Sequence, residues 1–491
     1  MSKRYGAIAL RLCLAIAHYA SSIAFVLISL SKMKNIQQLG GRQRRLRKLL
    51  RRLGILRLSG IVVALILVFQ FVVLPALSQQ PVEITMMMQG QDLANWKPFL
   101  DEFRDKNRDI RLTIVEGPFD TNLQENLYTS AFLLGDSPYD ILNMDIVWVP
   151  KFAAAGWLMD LSDRLPKEQL AKFLKGNIEG GQYQDRLYRI PTTSDAGVLY
   201  YRKDLLDKAG VQPPETFEQM VNIAQNLQKQ GDTRWGYLWQ GKQYEGVSAM
   251  FVEVLEGFGG FWANPDTLEV GLDQPQAIQA VDFLHNLIVK GISPRGVSTY
   301  GEEETRLLFQ SGGSVFVRNW PYVWKLANAQ DSKVKGDVGI KPMIHAQGQT
   351  GGSCLGGWGL AISKTSRHPE EAWRLIQYMT SEDTMKRFVL ATGLIPSYQT
   401  LFKDPDILAK FPHFTQLLAA VQKPALRPPI AQYAQASDVL QRYLSAAFTG
   451  RISSAEAMKA AARETRNILG RFKPSQVSQN SAAAQNGAIS F

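Results

Sequence analysis

Three tryptophans fall in short segments punctuated by glycine or proline or placed at apparent strand ends: Asp145-Ile-Val-Trp148, Arg318-Asn-Trp-Pro-Tyr322 and Gly356-Gly-Trp-Gly359. A fourth segment, Ala425-Leu-Arg-Pro-Pro429, sets an arginine beside paired prolines. Flat aromatic rings cover the apolar C–H faces of a sugar, while carboxylates, amides and a guanidinium exchange directed hydrogen bonds with its hydroxyls. The competing reading of any one tryptophan is an ordinary core residue, because Trp is buried on average. Glycine and proline mark turns rather than element interiors, so three tryptophans in such places point to exposed aromatic faces. The pattern predicts a carbohydrate site.

Catalytic signatures are missing from the sequence. No Gly-x-x-x-x-Gly-Lys-Ser/Thr loop occurs, and Gly351–Gly359 does not fit the dinucleotide pattern Gly-x-Gly-x-x-Gly. Ser353, in Gly-Gly-Ser-Cys-Leu, lacks the second glycine of a nucleophile elbow. His285, His345, His368 and His413 are too widely spaced for a metal set, and His285 reads as a structural helix residue. No cofactor or metal is expected. Carboxylates are plentiful, so a glycoside hydrolase using Asp145 and Asp195 stays open as an alternative.

The elements that must carry these residues alternate between strand and helix. Val82–Met88 and Ile110–Ile114 alternate apolar positions as strands do, with helical spacing across Asn95–Asn107 between them. Tyr139–Asp145 reads as a buried strand, Phe152–Leu158 as a short helix and Val198–Tyr201 as another strand. Thr216 and Gln219 fit a capping box for a helix to Gln230. Further helices are expected at Gln276–Lys290, Glu302–Gln310, Pro369–Thr380, Gln432–Phe448 and Ser453–Leu469. The alternation predicts an α/β architecture with largely parallel sheets. Residues 474–491, rich in Ser, Ala, Gln and Asn, read as a disordered tail.

Charge is distributed unevenly along the 491 residues. Thirteen Lys and Arg and no Asp or Glu lie in residues 1–82, which leaves the rest of a +11 chain at −2. A nucleic-acid protein carries its positive surface on the folded domain, so nucleic acid is not an expected partner. The basic residues instead frame apolar stretches. Residues 1–57 form a basic region holding a first candidate, Gly6–Leu30, broken by Arg11 and His18. Leu58–Leu77 has twenty residues and no charge, the length of a bilayer span. The cluster Arg42–Arg52 before it stays cytoplasmic, which puts the chain after about residue 80 on the exported side. An uncleaved transmembrane anchor and a signal peptide cut near Ala76-Leu-Ser78 compete for this segment, and its length favours the anchor. The only cysteines are Cys13 and Cys354, so the exported part has no internal disulfide and no lipid-bearing cysteine.

From Val82 to Phe472 the chain resembles the sugar-binding proteins of bacterial and archaeal ABC importers, most nearly the trehalose/maltose-binding branch. Asp195-Ala-Gly-Val-Leu-Tyr-Tyr-Arg-Lys-Asp-Leu-Leu206 is similar to the family's first crossover, and Pro213–Phe217 to the next helix entry. Trp239–Gly246, Arg318–Tyr322, Leu355–Leu360 and Arg427–Pro429 occur in the family's order. The resemblance implies a periplasmic-binding-protein-like fold of two α/β lobes closing on a hinge. Lobe 1 would hold residues 82–197 and 356–400, and lobe 2 residues 198–355 and 401–473. It further implies that Asp145 and Asp195 accept from sugar hydroxyls, that Trp320 and Trp358 stack on rings beside Tyr322, and that Arg427 donates. Glu245 joins the set as a residue that otherwise shapes a loop. Two departures stand out: Thr193 where relatives often carry an aromatic, and no arginine across Thr121–Tyr128. Both thin the first-lobe side, which suits a smaller or differently linked sugar such as a glucoside of a polyol. The expected partners are a carbohydrate, ABC permease subunits and the inner membrane through the N-terminal helix, with the binding domain on the periplasmic side. A sugar sensor without transport is a further alternative.

Overall fold

The computed structural model describes residues 80–135 and 137–470. The Leu58–Leu77 span, the first apolar stretch and the tail after residue 473 lie outside these residues. Among the described residues no helix is long and apolar enough to cross a membrane.

Two sheets and a set of crossing strands organise the chain. The first sheet has five strands in the order Ile110–Gly117, Val82–Gln89, Ile141–Asp145, Trp358–Ile362 and Ile190–Pro191. The first three run parallel, and Trp358–Ile362 returns antiparallel. The second sheet has four strands in the order Val338–Pro342, Val198–Arg202, Ser314–Asn319 and Trp235–Leu238, of which only the last two run parallel, so the expectation of largely parallel sheets is corrected to mixed ones. Between them lies a small sheet of Pro424–Ala425, Ser353–Gly356 and Asp195–Ala196. The chain thus leaves the first sheet at Pro191, crosses at Asp195–Ala196, and enters the second at Val198. It comes back through Ser353–Gly356 to resume the first sheet at Trp358. This is a two-lobed α/β fold whose lobes are joined by the crossings.

Local chemistry accounts for the helices that flank the sheets. Thr216 Oγ1 accepts from the Gln219 amide at 3.2 Å, and the Gln219 side chain accepts in turn from the Thr216 amide. Each orphan donor of that helix start is satisfied reciprocally, as the capping-box spacing predicts. Ser453 and Glu456 do the same for Ser454–Gly470. Gly291, at φ +68°, closes the helix Pro275–Val289 in the left-handed region that glycine enters without steric penalty. The expected helix at Phe152–Leu158 starts earlier, at Val149–Ala154, because Pro150 sits in the first turn, where its missing N–H removes no bond. Helices Pro369–Met379 and Glu382–Thr392 pack on the first lobe, and Tyr433–Phe448 and Ser454–Gly470 pair against Glu245–Gly257 and Pro275–Val289.

Candidate functional site

Strand register brings the sequence's candidate residues together. Trp358 stands directly opposite Asp145, so the ring and the carboxylate are cross-strand neighbours at one end of the first sheet. In the crossing sheet Gly356 pairs with Asp195, and Cys354 pairs with Ala425, two residues before Arg427. Trp320 and Tyr322 lie just past the end of Ser314–Asn319 in the second sheet. Glu245 opens the helix Glu245–Gly257. All seven line one cleft of about 390 Å³, a volume in the range of small-molecule sites. Beside them stand Gln89, Asp92, Asn95, Phe119, Tyr244 and Glu302.

At the floor of the cleft is an ion cluster. Arg427 Nη1 donates to Glu245 Oε1 at 2.8 Å, and Nη2 donates to Asp145 Oδ1 at 3.2 Å and to the Leu355 carbonyl at 3.3 Å. Glu245 also accepts from the hydroxyls of Tyr433 and Ser437. Asp145 carries a second task, accepting from the Val147 amide at 3.2 Å and capping the turn Ile146–Trp148. Arg427, Asp145 and Glu245 are each less than a tenth exposed, so each charge is stabilised by partners rather than by water. Burial raises the Glu245 carboxyl above its usual range, against the lowering pull of Arg427. Nε of Arg427 has no acceptor among the described residues.

Asp195 and Asp92 are differently placed. Among the described residues the sole donor to Asp195 is the Ala196 amide at 3.2 Å. Desolvation pushes its carboxyl up to about 8, opposed by the Arg318 charge and reinforced by the nearby Asp92 and Asp145. Asp92, in the first turn of the helix Gly90–Lys106, is raised to about 6, again by desolvation. Sequence reasoning missed Asp92; its place in the first turn, directly after a strand, was the available signal.

The aromatic residues divide. Trp148 is 2% exposed and packs edge-on against Trp358, with ring centres 5.6 Å apart at 87°. The expectation of three exposed rings is therefore corrected: Trp148 is core, buried by the turn that Asp145 caps. Trp320, Tyr322 and Trp358 are half-buried in the cleft wall. Tyr322 donates to Glu303 at 2.7 Å, and Trp320 Nε1 donates to Glu302 at 3.3 Å. Trp239, in the segment Trp239–Gly246, is wholly buried and donates to Ser293 at 3.1 Å. Thr193 does line the first-lobe side, where Phe119 supplies an aromatic ring from a different loop.

The lobes also touch directly. Asn122 Oδ1 accepts from the Glu245 amide at 3.0 Å, and Lys242 lies 3.9 Å from Asp120. Such a cleft, lined from both lobes and floored by their crossing strands, is built to enclose a small solute. Residues 89–386 match the model of the bacterial extracellular solute-binding proteins.

The chain belongs to that family.

A probable ABC transporter-binding protein of Deinococcus radiodurans is 30% identical over 390 residues, covering 78% of this chain and 92% of that protein. A mannitol-binding protein of Pseudomonas aeruginosa is 24% identical over 414 residues, covering 80% of this chain and 94% of that one. Among solved structures, the maltose-bound MalE3 of T. maritima is 36% identical with a TM-score of 0.74, over 79% of this chain and 100% of that one. The similarity is thus to sugar-binding proteins of the ABC-transporter, maltose-binding type, which are binding proteins rather than enzymes.

Proposed function

We propose that this solute-binding protein captures a disaccharide-sized carbohydrate outside the inner membrane and delivers it to an ABC permease. The observation that carries this reading is the meeting of the half-buried rings of Trp320, Tyr322 and Trp358 with the carboxylate of Asp195 in one cleft. The rings would cover C–H faces, Asp195 would accept from hydroxyls, and Arg427 would donate to a sugar oxygen. Asp145 and Glu245 would act mainly through Arg427, holding its guanidinium in place. Closure of the lobes would be driven by the ligand's better contacts in the closed state. The MalE3 likeness supports a maltose- or trehalose-like ligand, and the mannitol-binding relative supports a polyol or its glucoside. Isothermal titration of residues 79–473 with maltose, trehalose, glucosylglycerol and mannitol tests the reading. Saturable binding of at least one supports it, and silence across the panel rejects it. Release of free glucose from maltose or trehalose would favour the hydrolase instead.

The uncharged stretch Leu58–Leu77 behind a basic cluster supports a membrane-held receptor, whose proximity raises its effective concentration at the permease. The full chain should then stay with membranes through alkaline-carbonate extraction. Recovery of a soluble form beginning near Gln79 would show a cleaved signal peptide.

A further inference from the structure

Trp320 is held from several sides. Its Nε1 donates to Glu302 Oε1, and the other oxygen of Glu302 accepts from the Tyr244 hydroxyl. One face of its ring is covered by the guanidinium of Arg318, 4.2 Å from the ring centre. Arg318 cannot drift, because it makes two bonds of 2.8 Å to Glu253 and both side chains are fully buried. The ring edge meets Gly356, where an added Cβ would lie 3.2 Å from Cζ3. The Trp320 amide and carbonyl are bonded to Asn319 Oδ1 and the Tyr200 hydroxyl. Asn319 in turn donates from Nδ2 to the Glu302 carbonyl at 3.0 Å. Trp320 remains half-buried in the cleft wall, and the plane of its indole is set before a ligand arrives.

We propose that Glu302 is a specificity-determining positioning residue: by clamping Trp320 and Tyr244 it fixes a flat platform that selects pyranose rings over open-chain polyols. This rests on the carbohydrate reading above. A chair-form ring presents a rigid, flat set of C–H bonds that a fixed plane meets at little entropic cost. An open-chain polyol must freeze several torsions to lie flat on the same plane, and that ordering subtracts from its affinity. A platform free to rotate could adapt to the chain and would discriminate less.

The test compares maltose with mannitol by isothermal titration in the wild type, Glu302→Ala and Glu302→Gln. Glu302→Ala should weaken maltose about tenfold, the scale of one stacked ring, while mannitol changes by no more than about twofold. Glu302→Gln, which keeps an acceptor for the indole N–H, should restore most of the maltose affinity. Equal losses for both ligands, or none for either, overturn the selection. A ligand-free readout tests the clamp itself. Glu302→Ala should alter the near-ultraviolet circular dichroism of the wild type more than that of a Trp320→Phe background, where only the Tyr244 contact remains to be lost. Identical changes in the two backgrounds overturn the clamp. A wild type that binds no sugar rejects the carbohydrate reading and the selectivity with it, and a near-ultraviolet difference between backgrounds would still register the clamp.

Discussion

Two sets of acids in the cleft are partnered in opposite ways. On the second-lobe wall three successive acids each have a protein partner: Glu302 holds Trp320 and Tyr244, Glu303 holds Tyr322 and Arg306, and Glu304 accepts from the Gly301 amide. On the first-lobe side Asp195 has a single backbone donor among the described residues. The first kind of wall is a rigid surface already satisfied within itself. The second is an acceptor that burial has left short of donors and that a hydroxylated ligand can complete. Shape would come from one wall and hydrogen bonding from the other, and the two join at the Asp145–Arg427–Glu245 cluster.

That contrast can be broken at the junction first. Arg427→Met removes the cation that compensates two buried carboxylates, and breaking a buried pair in this way destabilises by about 3–5 kcal/mol. Urea unfolding should show the loss directly, whereas a change under about 1 kcal/mol would mean the cluster is solvated. On the first-lobe side, Asp195→Ala should leave the fold intact and weaken sugar binding by about 1–3 kcal/mol, the cost of leaving an enclosed sugar hydroxyl without its acceptor. Titration calorimetry beside far-ultraviolet circular dichroism separates the two effects. Trp358→Ala should lose at least about tenfold in affinity, near 1.4 kcal/mol. Unchanged affinity with a lowered melting temperature would place Trp358 with Trp148 in the core.

The smallest effect is one of pH. The Asp195 carboxyl of the folded protein titrates at about 8, well above the ordinary carboxylate range, because burial disfavours its charge. A group raised in this way favours the folded state fully below the unfolded value, and that contribution fades as pH rises through the folded one. Ligand-free wild type should therefore melt progressively lower from about pH 5 to about pH 9, and Asp195→Asn should flatten part of that slope. Equal slopes would show that the Asp195 carboxyl is ionised throughout.

Much of this was legible in the chain because the signals were local. Thr216 with Gln219, Ser453 with Glu456, and the helix Glu302–Gln310 each announce themselves within a few residues. The helix Glu245–Gly257 did not, since almost every residue in it is buried and no polar face marks its period. Thr121–Leu133 hid for the opposite reason: Leu123, Leu127 and Leu133 are exposed, against the usual pattern. In the site, Asp145, Asp195, Glu245, Trp320, Tyr322, Trp358 and Arg427 could be named from motifs, and the cleft gathers them all. Their partnerships could not. Glu245 and Arg427 meet across 182 positions and Asp145 and Arg427 across 282, and no local pattern carries such a pairing. Nor could spacing tell Trp148 from Trp358, because one lies in the turn after a strand and the other opens the antiparallel strand beside it.

Each of the three strands crossing between the sheets ends within two residues of a cleft-lining group: Asp195 on the first, Trp358 beyond Gly356, and Arg427 beyond Ala425. If the proposed closure turns on these crossings, pivot and cargo share one spot, as in a pair of tweezers that grips at its own fulcrum. Rotation there moves the bound molecule least and the far tips of the lobes most. A pair of dyes on opposite outer rims would register occupancy through a large swing, and a dye beside the cleft would report almost nothing.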